Sequence, residues 1–370
     1  MGNDMLLWDE TLFKNGEVLE LGYLPDYFAH RDSQIQSLKF SLKPAMRNMR
    51  PVNCLIKGSP GTGKTSAVLK VLKEMKEYTE NVVFVKVNCQ MDSTRFAVVS
   101  QIYEQLVGIK PPTSGVAFRK LFEKAVKYLI DSNKILVVVL DDINYLFHEG
   151  HADEVMYSLL RAHEQYPGAK ISIIAIISDI GVPYIFDPRV GSVFLPEEIS
   201  FPLYGFDEVR DIISNRIQHA FYRDVMSDEI CDRITEYVDT AGDLRVGIDL
   251  LKRSALNAER RASRSVSVED VEKAYEASRL LYLCRNIRSL SDHEKTLLEL
   301  IAKATDQQAG DLYKSFHDIT GLGYTRFYEI IGKMSSSQLL DADFSGKGMR
   351  GRTRIIKSRY DSKDIMKCLE

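Results

Sequence analysis

The 370-residue sequence predicts an α/β domain with a parallel sheet and helices on both faces. An all-helical domain follows, and then a terminal module of three helices and a β-hairpin. Three observations carry that prediction. Nearly continuous apolar runs at 82–87, 135–140 and 171–177 read as strands buried on both sides, and helical patterns at 93–107, 116–132 and 153–163 separate them. Beyond residue 205 the strand signal stops, and helices are expected at 207–222, 228–239, 243–262 and 267–281. Further helices are expected at 291–304, 310–320 and 325–334, then two short strands at 338–344 and 353–358. The expected boundaries are 1–205, 206–284 and 285–370.

In chain order, a turn at 23–26 precedes a helix over 33–46 that carries Ile35, Leu38 and Leu42 on one face. A strand at 52–57 then runs into Gly58-Ser59-Pro60-Gly61-Thr62-Gly63-Lys64-Thr65, and a helix opens at Ser66. Strand, glycine-rich loop and helix in that order form a phosphate-binding loop. Gly58, Gly61 and Gly63 are read as letting the backbone turn its N–H groups around a polyphosphate, with the helix dipole adding to the field. Lys64 is placed to reach the β- and γ-phosphates and Thr65 to offer its hydroxyl to Mg²⁺, so ATP or ADP is the expected ligand of 58–66. The run Val137-Val138-Val139-Leu140 ends in Asp141 and Asp142. Asp141 would hold Mg²⁺ and Asp142 would orient the attacking water.

Capping boxes, Ser267 with Asp270 and Ser291 with Glu294, mark two of the later helix starts. Three helices followed by a hairpin is the order of a winged-helix module. On its third helix Phe327, Ile330, Ile331 and Met334 share a core face, leaving Thr325, Arg326, Glu329 and Lys333 on the outer side for the major-groove edges of DNA bases. The hairpin tip is glycine-rich, and from 344 to 360 there are six basic residues and no acid. Lys347, Arg350, Arg352 and Arg354 are the wing contacts expected on double-stranded DNA.

Net charge is −3, which argues against non-specific nucleic-acid binding over the whole surface and leaves a local basic patch as the DNA face. The five cysteines, Cys54, Cys89, Cys231, Cys284 and Cys368, are far apart and without C-x-x-C pairing, so neither a disulfide nor a metal framework is expected. The start lacks the basic and apolar regions of a signal peptide, and the apolar runs are too short to span a bilayer. A reducing, cytoplasmic and nucleoid-associated setting is the natural reading.

With the phosphate loop and the strand ending in Asp141 and Asp142, the sequence resembles the AAA+ ATPases. The stretches 27–32 (Y-F-A-H-R-D), 186–190 (F-D-P-R-V), 196–204 (P-E-E-I-S-F-P-L-Y) and 242–245 (G-D-L-R) narrow the resemblance to the archaeal origin-recognition and cell-division-control replication initiators. The resemblance implies that His30 and Arg31 line the adenine pocket. It also implies that Tyr204 and Arg216 contact the nucleotide, that Arg245 is the second sensor on the phosphates, and that Arg189 can act as an arginine finger in trans. A short DNA-touching insertion is implied near 179–195, although Gly191 stands where the family often has a basic residue.

Two departures bear on hydrolysis. Asp142 stands where the family usually has Glu, and Ser178 where it usually has Asn as first sensor. A shorter carboxylate and a single-donor hydroxyl predict a nucleotide switch with slow turnover. The function implied is an ATP-dependent initiator that binds origin DNA and helps to recruit or load the replicative helicase, with other initiator paralogues as possible partners. Two alternatives stay open at this point: a paralogue acting as a DNA-binding regulator, and a signalling ATPase whose winged helix binds protein.

Overall fold

The two runs richest in aliphatic residues, 135–140 and 171–177, do form the centre of a parallel sheet, and their parity decides which side chains meet. The computed structural model describes residues 11–26, 28–112, 116–178, 184–288, 290–303, 307–336, 339–344 and 354–369. The chain divides into two compact units, Asp26–Leu203 and Met1–Pro25 with Tyr204–Glu370.

In the first unit the elements are α1 (Asp32–Leu42), β1 (Cys54–Gly58), α2 (Lys64–Tyr78), β2 (Val82–Asn88) and α3 (Arg95–Val107). They continue with α4 (Phe118–Asp131), β3 (Ile135–Asp141), α5 (Asn144–His148), α6 (Ala152–Leu160), α7 (Ala162–Gln165), β4 (Ile171–Ile177), α8 (Pro188–Gly191) and β5 (Glu197–Phe201). The strands pair in parallel in the order β2-β3-β4-β1-β5. Every residue of β3 and β4 is buried. Val137, Val139, Ile174 and Ile176 pack with Ile35, Leu38, Ala67 and Val68 of α1 and α2. Val138, Leu140, Ile173 and Ala175 pack with Val98, Ile102, Leu121 and Leu129 of α3 and α4. Because successive strand residues alternate faces, Asp141 continues the 137/139 row and emerges on the α2 side, where the phosphate loop ends.

β5 was not expected. Its sequence, E-E-I-S-F, has exposed acids on an edge strand and lacks the continuous apolar signal of β3 and β4. Its presence changes the reading of Gly58, which is the last residue of β1 and pairs with Phe201. A Cβ at Gly58 would lie 2.4 Å from the Phe201 carbonyl oxygen, so this glycine is required by the close approach of β5. The turning of the loop falls instead to Gly61 and Gly63, with φ of 75° and 87°.

In the second unit, α9 (Phe206–Ala220), α10 (Asp228–Ala241), α11 (Leu244–Arg260) and α12 (Val268–Arg288) form the all-helical domain expected from sequence. Residues 11–25, assigned from sequence to the nucleotide-binding domain, pack here. Leu12, Val18 and Leu19 are buried in the core with Ile213, Ile234 and Leu251, and Phe13 pairs with Phe221. The α12 helix runs past the expected end at 281. It supplies Val271 and Ala274 to this core and Leu283 and Ile287 to the next, so the expected boundary at 284 falls inside a helix.

The terminal module contains α13 (Asp292–Lys303), β6 (Gln307–Gln308), α14 (Ala309–Thr320), α15 (Tyr324–Ser336), β7 (Leu340–Phe344), β8 (Arg354–Ser358) and α16 (Ser362–Leu369). Its three strands pair antiparallel in the order β6-β8-β7, one strand more than the expected hairpin. The additional helix α16 buries Ile365 in the module's core. Cys284 and Cys368, read from their spacing as unpaired, form a disulfide that joins α12 to α16 with a Cα separation of 4.7 Å. A sequence separation of 84 gave no local pattern by which to pair them. Among the described residues no helix is long and apolar enough to cross a membrane.

Candidate functional site

The phosphate loop is preformed around one buried lysine. Lys64 is 4% exposed, and its Nζ donates to the carbonyls of Gly58 at 2.9 Å and Ser59 at 2.7 Å. The Thr62 hydroxyl donates to the Ser59 carbonyl at 2.8 Å and closes the turn. Pro60 is exposed at its rim, and Gly63 leads directly into α2, which contributes Thr65 and Ser66 in its first turn. The Lys64 ammonium, seated on these carbonyl dipoles, gains when an anionic phosphate enters the loop, because a charge-assisted contact is stronger than a dipolar one.

Thr65 Oγ1 donates to Asp141 Oδ1 at 2.9 Å, joining the start of α2 to the end of β3. Two hard oxygen groups at the mouth of a phosphate loop fit Mg²⁺, which takes few protein ligands and keeps phosphate and water oxygens for the rest. Lys86 Nζ lies 2.9 Å from Asp141 Oδ2. Sequence reasoning missed it, reading β2 as a nearly continuous apolar strand although Lys86 interrupts that run. The buried Cys89 thiol has its pKa pushed up by burial first and then by the Asp141 and Asp142 carboxylates, so it stays protonated beside the site.

Asp142 sits next to this pair in left-handed backbone, φ 56°. Asp adopts that region far more readily than most residues do. Ser178 follows β4, and its N–H donates to Asn144 Oδ1 at 3.5 Å. Asn144, 6% exposed, is a second residue the sequence did not single out. Arg189 is exposed, and its Nε donates to Asp187 Oδ1 at 3.0 Å.

Arg31 is buried among backbone carbonyls. It is 2% exposed and donates to the carbonyls of Thr62 at 3.2 Å, His30 at 3.0 Å and Pro202 at 2.6 Å. One guanidinium thereby ties the phosphate loop, the start of α1 and the exit of β5. His30 beside it has φ 59°, a left-handed conformation that turns the chain into α1.

Tyr204, Arg216 and Arg245 belong to the other compact unit. Arg216 is buried, donates from Nη1 to the Val18 carbonyl at 2.7 Å and lies over the Tyr23 ring at 4.8 Å. Burial lowers its pKa, with Tyr23 acting the other way. Arg245 donates from Nε to Asp243 Oδ1 at 2.9 Å. That carboxylate, the N-cap of α11, offsets the unfavourable placement of an arginine in a first helical turn, so a phosphate is not needed to explain it. Tyr204 is partly buried against the helical core.

On the winged helix, Thr325 and Arg326 are exposed on α15, and Phe327, Ile330, Ile331 and Met334 are buried as the periodicity requires. Lys333 differs from the expectation: its Nζ pairs with both oxygens of the buried Glu294, at 2.9 and 3.2 Å, and fixes α15 to α13. Lys347, Arg350 and Arg352 lie outside the described residues, as does the 179–183 part of the expected insertion. Arg354 opens β8.

Comparison with known proteins finds three family models along the chain. They are an AAA domain at 48–181, a Cdc6 AAA+ ATPase-type lid domain at 210–276 and a CDC6 C-terminal winged-helix domain at 285–368. Fold and site together define an AAA+ ATPase with a Cdc6-type lid and winged helix. The chain belongs to the family of ORC1-type DNA replication proteins. It is 63% identical to ORC1-type DNA replication protein 2 of Methanosarcina acetivorans, over 100% of this chain and 99% of that one. It is 47% identical to ORC1-type DNA replication protein 3 of Haloarcula marismortui, over 99% and 98%. Among solved structures it is similar to the Aeropyrum pernix ORC1 protein in complex with DNA, with TM-score 0.70, 26% identity and coverage of 98% and 97%. The Aeropyrum pernix ORC2 protein shares the fold, with TM-score 0.75, 23% identity and 97% coverage of each chain.

Replacing Arg31 by Ala leaves three backbone carbonyls without their charged donor and is expected to cost at least about 3 kcal/mol of stability. ADP affinity should fall with it. Arg31→Lys should not restore either property, because one ammonium cannot replace a planar fork. Thermal unfolding and calorimetric ADP titration check this; wild-type values in Arg31→Ala would contradict the bracing role.

Proposed function

We propose that this ORC1-type protein is an ATP-controlled initiator that binds origin DNA and helps to recruit the replicative helicase. It would act in the cytoplasm at the chromosome, alone or beside initiator paralogues. The observation that carries the reading is one chain holding both a preformed phosphate loop with its Thr65–Asp141 pair and a winged helix whose α15 exposes Thr325 and Arg326. Lys64, Thr65 and Asp141 would hold Mg²⁺ and ATP or ADP. Asp142 and Ser178 would govern hydrolysis, and Arg189 and Arg245 would report on it after exchanging their present carboxylate partners for phosphate. The Aeropyrum pernix ORC1 relative, solved in complex with DNA, supports DNA binding by this chain.

Genome-wide footprinting with ADP, then with a non-hydrolysable ATP analogue, tests the reading. A few tight clusters of repeated intergenic sites are expected. Sites at many promoters would favour a regulator, and no specific site in either state would favour a signalling ATPase. If the wing supplies much of the affinity, neutralising Arg350, Arg352 and Arg354 together should weaken binding and flatten the logarithmic salt dependence by about 2–3 units. An unchanged slope would refute the wing assignment.

Slow turnover is part of the proposal. Asp142→Glu, which lengthens the carboxylate by one methylene, should raise the single-turnover hydrolysis rate several-fold. It should also cost about 1 kcal/mol of stability, because Glu tolerates left-handed backbone less well. A rate equal to or below wild type would contradict the assigned role of Asp142.

A further inference from the structure

Lys86 is the feature of the nucleotide site that the proposed function leaves unused. It is the one basic residue in β2, two positions before the strand ends. In the β2–β3 register Lys86 faces Val139 and Asn88 faces Asp141. Residues two apart on a strand share a face, so Lys86 and Asp141 lie diagonally on the α2 side of the sheet, at the end where the phosphate loop opens. The strand position of Lys86 is itself clamped. Its N–H donates to Gln105 Oε1 at 3.2 Å, and Gln105 Nε2 donates back to its carbonyl at 2.8 Å.

From that fixed origin the Lys86 ammonium reaches Asp141 Oδ2 at 2.9 Å while Thr65 holds Oδ1 at 2.9 Å. Both carboxylate oxygens of Asp141 therefore have a partner from the chain itself. The Asp141 side chain is 10% exposed, so the pair is poorly screened on the acid's side. The Lys86 side chain is 36% exposed and has open water to swing into. A divalent cation recruited by Asp141 has to share the carboxylate with an ammonium or displace it. In either case like-charge repulsion works against the ion.

We propose that Lys86 is a positioning residue that acts as a resident counter-cation of Asp141 and sets the Mg²⁺ concentration at which the nucleotide site loads. The inference rests on the proposed Mg²⁺ role of Thr65 and Asp141 and adds a built-in competitor to it. A competitor of this kind shifts the midpoint of metal-dependent loading to a higher Mg²⁺ concentration.

The test is a Mg²⁺ titration of a fluorescent ADP analogue bound to the full chain, read as the Mg²⁺ concentration giving half of the metal-dependent gain in affinity. Lys86→Gln should lower that concentration roughly five- to tenfold, the effect expected of removing one partly screened charge a few ångströms from the ion. Lys86→Arg, which keeps the charge, should stay within about twofold of wild type. A purely structural ion pair would move the melting temperature and leave the half-saturating concentration where it was. An unchanged or higher value in Lys86→Gln, with wild-type binding still dependent on Mg²⁺, would overturn the inference alone. Affinity independent of Mg²⁺ in every variant would overturn the metal role of Thr65 and Asp141 and the inference with it.

Discussion

The hydrogen bond from Thr65 to Asp141 is the contact on which the nucleotide site depends, because it joins two segments that the sheet keeps apart. Thr65 lies in the first turn of the helix after β1, Asp141 ends β3, and β4 lies between those strands. The two side chains meet only if the pairings of β4 with β1 and with β3 keep their register, and if Asp141 falls on the α2 face. A slip of one residue in β3 would send its carboxylate to the α3–α4 side. The sequences of β3 and β4, aliphatic apart from Ser172 and the terminal Asp141, secure that register through burial on both faces, so core packing and chemistry are one requirement here.

Around that bond the site is organised by cations held on backbone carbonyls. Lys64 points into its own loop by donating to Gly58 and Ser59, and Arg31 draws the loop toward the β5 exit through Thr62 and Pro202. Carbonyls satisfy a buried cation without neutralising it, so the field inside the loop remains suited to a polyphosphate. The two left-handed non-glycine residues nearby, His30 and Asp142, mark where the chain turns sharply to bring these groups together.

Much of this was legible in the sequence because it rests on strong local signals. The apolar runs gave β3 and β4, the glycine-rich loop with its flanking strand and helix gave the turn before α2, and helical periodicity gave the buried face of α15. What escaped the reading depends on distant partners. β5 is an edge strand whose exposed Glu197 and Glu198 hide it from an apolar count. Gly58 is glycine because of Phe201, far away in sequence. Residues 11–25 pack with helices about two hundred positions later, and Cys284 meets Cys368 only because α16 returns to α12. Lys333 was read from helical periodicity as facing DNA, whereas a tertiary contact holds it on Glu294, and the Arg31 bond to Pro202 likewise depends on a partner far away in sequence.

In the proposed cycle, nucleotide and metal at the Thr65–Asp141 pair set the state of the ATPase unit, and the winged helix supplies the hold on DNA. The measurement that tests this centre most directly is calorimetric titration of ADP into wild type and Thr65→Ala, each with and without Mg²⁺. The account predicts about one ADP per chain, a marked gain in wild-type affinity with Mg²⁺, and loss of that gain in Thr65→Ala while metal-free binding persists. An equal Mg²⁺ effect in both proteins would contradict it.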